Sequence, residues 1–340
     1  MKKINQDIKC ATTLPGDFYS SDVIFKDVLN KIFTTSWQFI SDDSLIQKNK
    51  EAYPFLFLDP VISEPLFFIN NNNHIDCFSN VCTHRGNILI NEPSKINKHI
   101  VCNYHGKTFD RCGKFFFMPE TKGMQNFPTD KDNLISIPTH KWRQFLFTSL
   151  NPLFSFRDFI NPIEDRIGWM PIEEFRLRED LSKEYVINAN WALYCDNYLE
   201  GFHIPFVHQD LAETLDYSNY DVELFKFSNL QIGIGKDNND CFTLPKESPD
   251  YGKKIAAYYF FIFPNLMLNF YPWGLSINII NPISPVKTRI IFKSYVWKQD
   301  KLNKGAGADI NKVELEDEEI VQRVQRGVSS RYYQYGRFSP

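Results

Sequence analysis

VCTHRGNILINEPSKINKHIVCNYHG, residues 81–106, sets two cysteines and two histidines in pairs: Cys82-x-His84 and, seventeen residues on, Cys102-x-x-His105. Two thiolates and two imidazoles on two loops invite a metal. One candidate is a closed tetrahedral zinc site. The other is a [2Fe–2S] cluster with both cysteines on one iron and both histidines on the other. Each loop offers one Cys and one His, so each can supply one ligand to each iron. A single zinc ion has no need of that alternation, and the spacing favours the cluster. Gly86 and Gly106 follow the two pairs and let backbone amides approach inorganic sulfides. Core cysteines and surface histidines would have to meet both spacings by coincidence. Cys112, beyond the second loop, reads as a small buried residue outside the ligand set.

Downstream, NWALYCDNYLEGFHIPFVHQD (190–210) holds a second group. On a helix, Asp196, Asn197, Glu200 and His203 share one face, with Trp191, Tyr198 and Phe202 opposite. A solvated polar face is the ordinary explanation of such a pattern. His203 and His208, however, are five apart and share no helix face, so both reach one metal only if the helix ends between them. Pro205 predicts that break. Two histidines and a carboxylate make the facial triad of non-haem Fe(II), which leaves positions open for O2 and substrate. VELEDEEIVQRVQRGV (313–328) offers the acid. On a 3.6-residue helix, Val313, Ile320, Val321, Val324 and Val328 all lie within about 60° of Asp317. That centres Asp317 on the inward face, with Glu316 and Glu318 near its edges and Glu319 outside. A buried carboxylate is costly unless paired or metal-bound. An acidic first turn facing the helix dipole explains the run of acids but not the burial of this one.

The rest of the chain sets limits. Its 340 residues predict about two domains. Lys+Arg 38 against Asp+Glu 41 gives net charge −3, which excludes a generic electrostatic nucleic-acid binder. The longest apolar stretch, Ala256 to Tyr271, is broken by Pro264, Asn265 and Asn269 and falls short of a bilayer span. The N-terminus has lysines but no apolar core behind them, so no secretory signal and no membrane partner are expected, and the expected compartment is the cytoplasm. Ser21/Asp22 cap a helix in which Val23, Val28 and Ile32 recur near helical spacing. Residues 50–150 read as short strands and tight turns, 151–165 as a boundary, and 186–300 as one helix with long antiparallel strands. The last helix runs from about Ile310 to Gly327. Gly233-x-Gly235 is the nearest approach to a nucleotide loop. Asn238 stands where a third glycine belongs, so no flavin or nicotinamide site is expected.

CTHRG…CNYHGKTFDRCGKF resembles the Rieske motif, with Lys107 where that family usually carries an aromatic residue or Arg; the outer face of the second loop is expected to differ accordingly. DNYLEGFHIPFVH resembles the iron-binding motif of the catalytic (alpha) subunits of Rieske non-haem iron oxygenases. EDEEIVQRVQRGV resembles the segment that supplies their third ligand. LPGDFY (14–19) and FPNLMLNFYPWG (263–274) are similar to the choline and carnitine monooxygenase-like subgroup of these ring-hydroxylating enzymes. The resemblance covers nearly the whole chain. It implies an α+β fold: an all-β Rieske [2Fe–2S] domain (41–155) inserted into a helix-grip, START-like catalytic domain (1–40 and 156–340) with a long antiparallel sheet. It implies Cys82, His84, Cys102 and His105 as cluster ligands, and His203, His208 and Asp317 as ligands of a mononuclear Fe(II). Glu200, where several relatives have Asp, would bridge the two centres. Electrons would come from NAD(P)H through a separate flavin- or ferredoxin-type reductase, pass from cluster to iron, and support O2-dependent hydroxylation or demethylation of a small organic substrate. A homotrimer is implied, in which one subunit's cluster serves its neighbour's iron.

Two other classes compete: a Rieske electron carrier without chemistry of its own, and a binding protein whose cluster only senses redox state. The second metal group and the length of the chain weigh against both. The subgroup resemblance points to quaternary ammonium substrates, with aromatic rings as the other class. Tyr258, Tyr259, Phe260, Phe270, Tyr271 and Trp273 are material for an aromatic cage, although a core role is expected for most of them.

Overall fold

The computed structural model describes residues 4–208, 211, 221–236, 241–308 and 310–339. The chain forms two compact units, Phe33–Phe156 and the combination of Met1–Ile32 with Arg157–Pro340.

The first unit is all β. Strand Gln38–Asp42 pairs with Phe145–Thr148 and that with Thr139–Trp142. Glu51–Phe57, Glu64–Asn71 and His74–Ser79 form a second antiparallel sheet with the short Ser94–Lys95 on its edge, and His99–Val101, Thr108–Asp110 and Phe115–Phe117 form a third. The asparagine run turns the chain between two of these strands, with Asn72 and Asn73 in the left-handed region that asparagine tolerates. Ala52, Phe67, Ile69, Phe78, Ile100, Phe109 and Leu134 fill the core, and Cys82 and Cys102 join it from the two loops. Gly113 has φ +78° and lies against Phe78, where a Cβ would come within 2.6 Å of the ring.

Two expectations fail in this unit. Cys112 is exposed rather than buried, because its amide turns inward to Asp110 and the tight turn leaves the thiol outside. Lys107 does not shape the outer face of its loop: it is 1% exposed, with its ammonium 2.9 Å from Asp132 Oδ1 and between 5.4 and 5.9 Å from the rings of Phe109, Phe115 and Phe127. An ion pair and three π faces compensate the buried charge.

In the second unit, Ser21 caps helix α1 (Asp22–Lys31) by accepting from Ile24 N. The buried face of α1 is Phe25, Val28 and Leu29, and Val23 points to solvent. Helix α2 (Phe156–Ile167) leads into an eight-stranded antiparallel sheet. Strands Ser228–Ile234, Ile255–Ile262, Leu266–Tyr271, Gly274–Ser284 and Lys287–Val296 lie side by side in chain order, with Asp221–Leu224 and the strands of 176–187 at the two ends. Gly233 lies within the first of these strands, and Asn238 is outside the described residues. Helices α3 (Trp191–Tyr198), α4 (Ile204–Val207) and α5 (Ile310–Val328) complete the unit. No helix among the described residues is long and apolar enough to cross a membrane.

The helix boundaries correct the sequence reading twice. First, α3 ends at Tyr198, so Glu200 and His203 lie beyond it, and Pro205 sits in the first turn of α4. Proline starts the second helix instead of ending the first, because its missing N–H is not needed there. Second, the buried stripe of α5 is Glu314, Glu318, Val321, Gln325 and Val328, while Val324 is 41% exposed. The inward face is rotated by about 70° from the apolar one. Polar residues cause the shift. Gln325 Oε1 accepts from Asn190 N at 2.8 Å, and Glu314 accepts from Asn278 Nδ2 at 3.0 Å and from the Tyr194 hydroxyl. Asp317 therefore sits on the margin of the buried face, with its side chain 15% exposed.

Candidate metal centres

The two loops of residues 82–87 and 102–107 repeat one backbone pattern. Cys82 N donates to Asn87 O and Gly86 N to Cys82 O; Cys102 N donates to Lys107 O and Gly106 N to Cys102 O, all between 2.8 and 3.0 Å. Gly86 and Gly106 take φ of +71° and +72°, the left-handed conformation that closes each turn. Like spacing thus folds into like loops, which present Cys82 and Cys102 from inside and His84 and His105 from outside. The imidazole centroids are 4.7 Å apart at 72°. Asn87 Nδ2 lies 3.6 Å from Cys102 Sγ. Burial pushes the Cys102 thiol up, but the amides of Tyr104 and His105, the Cys82 thiol and Asn87 together bring it below its ordinary value; burial keeps Cys82 high. Burial and the neighbouring His105 lower His84. His105 Nδ1 is buried with no hydrogen-bond partner. Two buried thiols, one of them brought below its ordinary value, beside two imidazoles, one with an unsatisfied nitrogen, form a donor set that fits a [2Fe–2S] cluster.

The second centre joins three segments. His203 and His208 flank α4, and Asp317 comes from α5, 109 residues after His208. His208 Nε2 is 3.0 Å and His203 Nε2 3.7 Å from Asp317 Oδ1, and one ligand atom from each residue lies within 4.8 Å of the others. The far ring nitrogens are engaged as well: Glu200 Oε1 is 2.7 Å from His203 Nδ1, and Glu316 Oε2 is 2.8 Å from His208 Nδ1. Asn197 Nδ2 donates to Asp317 Oδ1 at 2.6 Å. Burial alone would lower the His208 imidazole, but the hydrogen bonds and charges of Asp317 and Glu316 win and raise it. The two carboxylates that favour a proton on this ring would equally favour a metal cation in its place. Both Nε2 atoms turned to one carboxylate oxygen, with both Nδ1 atoms held by acids, fit a divalent metal with an ordered outer shell.

Beside this centre lies a cavity lined by Tyr194, Asn197, Tyr198, Glu200, His203, Gln231, Tyr259, Asn269, Tyr271, Glu314 and Asp317 among others. The period of two in the strands decides its wall. Gln231, Tyr259 and Asn269 are cross-strand partners in one row, and Tyr271 follows Asn269 on the same face. Of the six aromatics marked for a cage, Tyr259 and Tyr271 line this cavity. Tyr258, Phe260 and Phe270 face the other side of the sheet, where the Tyr258 hydroxyl donates to Asp250; Trp273 lines a neighbouring cavity. Tyr194, Tyr198 and Glu314 were missed from sequence. For Tyr194 and Glu314 the usable signal was an offset of three from Asn197 and Asp317 on the two helices; Tyr198 is adjacent to Asn197 and was read onto the opposite face.

A loop pair built for an iron–sulfur cluster, with a two-histidine, one-carboxylate centre on an α+β domain, defines a two-centre redox enzyme. Comparison with known proteins specifies the family. Residues 36–128 match the Rieske [2Fe-2S] domain and residues 174–340 the ring hydroxylating alpha subunit (catalytic domain). The chain belongs to the Rieske non-haem iron oxygenases, as a catalytic (alpha) subunit. It is 26% identical to chloroplastic choline monooxygenase of Arabidopsis thaliana over 97% of this chain and 79% of the relative. It is 24% identical to the carnitine monooxygenase oxygenase subunit of Escherichia coli K12 over 95% and 86%. The fold is that of the quaternary ammonium Rieske monooxygenase CntA solved with L-carnitine (TM-score 0.73, 22% identity, covering 99% and 92%). It is also that of naphthalene 1,2-dioxygenase with indole bound (TM-score 0.70, 17% identity, 98% and 84%).

Proposed function

We propose that this subunit oxidises a small quaternary ammonium compound with O2, by hydroxylation or demethylation, using electrons delivered from NAD(P)H by a separate reductase in the cytoplasm. Cys82, Cys102, His84 and His105 hold the cluster, and His203, His208 and Asp317 hold the mononuclear iron. The observation that carries the reading is the convergence of both Nε2 atoms on Asp317 while Glu200 and Glu316 occupy both Nδ1 atoms. The cluster supplies single electrons and the iron supplies O2 activation. The chain's own residues do the rest. Glu200 and Glu316 fix the ring orientation and tautomer of the two histidines, Asn197 holds the Asp317 carboxylate in place, and the tyrosine wall keeps water from the reacting position. The cavity carries Glu314, Gln231 and Asn269 among its rings. That polarity suits a compact cation better than a fused arene. We assign the assembly as a homotrimer in which Glu200 links the iron histidine to the cluster of a neighbouring subunit.

The purified protein should carry about three irons and about two acid-labile sulfides per chain, with a Rieske-type EPR signal. Oxygen uptake with a surrogate reductase should be stimulated by a quaternary ammonium compound and not by naphthalene or indole. Stoichiometric zinc without sulfide would sink the cluster assignment. Glu200→Gln should keep both centres and the trimer while slowing cluster-to-iron electron transfer in a single turnover, and an unchanged transfer rate would remove Glu200 from that role.

A further inference from the structure

We propose that Glu314 is the specificity residue of the cavity: its carboxylate is the counter-charge that selects a cationic substrate over a neutral molecule of the same shape. This rests on the reading of the cavity as the site of a quaternary ammonium substrate, and adds the group that recognises the charge.

Three carboxylates line the cavity, and they differ in their partners. Glu200 is paired with His203, and Asp317 with both histidines and Asn197. Glu314 accepts only from neutral donors, the Tyr194 hydroxyl and Asn278 Nδ2, and has no cationic partner among the described residues. It is 9% exposed. A carboxylate so far from water is expensive to keep charged unless a cation comes to it. Nor does the surrounding structure offer one. Tyr194 faces it from α3, Tyr271 and Asn278 from the sheet, and Asp317 and Glu318 flank it on α5; every titratable group in that set is neutral or acidic. Burial first, and then the Asp317 charge, push Glu314 up to about 8. Tyr194, Tyr198, Tyr259 and Tyr271 line the same space and offer it π-bearing rings suited to an alkylated ammonium.

Glu314 is also tied into a continuous hydrogen-bonded row. Tyr198 donates to Asn269 (2.6 Å), Asn269 to Asn278 (3.2 Å) and Asn278 to Glu314 (3.0 Å). Two tyrosines of the cavity wall and the carboxylate are thereby held in one arrangement before ligand arrives, which lowers the ordering cost of binding.

The test measures binding rather than turnover. Anaerobic titration calorimetry on the metal-loaded protein compares choline, glycine betaine and L-carnitine with 3,3-dimethylbutan-1-ol, the neutral carbon isostere of choline. Wild type should bind at least one of the cations and prefer choline to the isostere. Glu314→Gln keeps the side-chain size and removes the charge. It should weaken cation binding by about tenfold to a hundredfold, shift the isostere by less than about twofold, and leave the cluster spectrum and iron content unchanged. Glu314→Asp should retain the preference for the cation. Tyr194→Phe, which removes a donor from the carboxylate without touching its charge, should cost about threefold to tenfold on the cation alone and serves if the Gln variant does not fold. A Glu314→Gln or Tyr194→Phe protein with both centres filled and the wild-type preference for the cation would overturn the role of Glu314 while leaving the substrate reading in place. A wild-type protein that binds none of the cations but takes up indole would overturn the substrate reading, and this proposal with it.

Discussion

Replacing Lys107 tests how the second cluster loop is anchored. The loop closes through Cys102 N to Lys107 O at 2.8 Å, so the residue that ends the loop is also the one buried beneath it. Lys107→Ala removes three buried methylenes at about 0.8 kcal/mol each, roughly 2.4 kcal/mol, and leaves a void. It also strands Asp132. A buried acid that loses its cation costs about 3–5 kcal/mol. Asp132 is 18% exposed and still accepts from Thr129 N at 2.8 Å, so about 1–2 kcal/mol is the appropriate share. The expected loss is about 4 kcal/mol for Lys107→Ala and about 2 kcal/mol for Lys107→Met, which keeps the stem. Urea titration followed by the visible absorption of the cluster reads this unit locally, and the cluster should bleach earlier in the order wild type, Met, Ala. A double-mutant cycle with Asp132→Asn should give a coupling of about 1–2 kcal/mol. Burial raises the Asp132 carboxyl, but Lys107 and the Thr129 amide outweigh it and hold it below the ordinary aspartate range. The coupling is therefore present above the unfolded aspartate value and is lost as pH falls through the lower folded one. A Lys107→Ala protein less than about 1 kcal/mol weaker than wild type, or a coupling indistinguishable from zero, would refute the anchor.

Asp317→Ala should lose mononuclear iron and activity with the cluster spectrum intact; if Glu318→Ala does so and Asp317→Ala does not, the ligand assignment on α5 is wrong. Glu316→Gln should weaken Co(II) binding at the iron site by about tenfold to a hundredfold, read by chelator competition, and an unchanged affinity would deny Glu316 its part in holding His208. Asp196 is half-buried, and desolvation raises its carboxyl to about 6 despite the hydrogen bond from the Tyr19 hydroxyl. The folded state then holds its proton longer than the unfolded one, so stability falls as pH rises from about 4 to about 6 and is level above. Asp196→Asn should abolish that slope and gain about 2 kcal/mol above pH 6; a melt midpoint that keeps its wild-type pH dependence would contradict this.

Much of the chemistry was legible because it is local. Cys82-x-His84 and Cys102-x-x-His105 each close within one turn, and a turn needs only its glycine to bring the pair together. The two loops accordingly adopt the same backbone. The two histidines of the proposed iron site were likewise within five residues of each other, although the helix break comes at Leu199–His203, ahead of the proline, and α4 lies between His203 and His208.

What the sequence by itself determined is this inventory: paired ligand loops, two histidines beside a helix break, a long acidic helix, and strands enough for a large antiparallel sheet. Only the tertiary structure decided how distant residues meet. The inward face of α5 was misjudged because periodicity counts apolar residues, whereas Glu314 and Gln325 are buried by partners on other elements, Asn278 and Asn190, that no periodicity can announce. The pairing of His208 with Glu316, the clamp of Asn197 on Asp317, and the choice of Tyr259 and Tyr271 over their strand neighbours follow the same rule. A hydrogen bond or a cavity wall belongs to two segments at once, and their meeting is fixed by sheet register and helix rotation rather than by either segment's own residues.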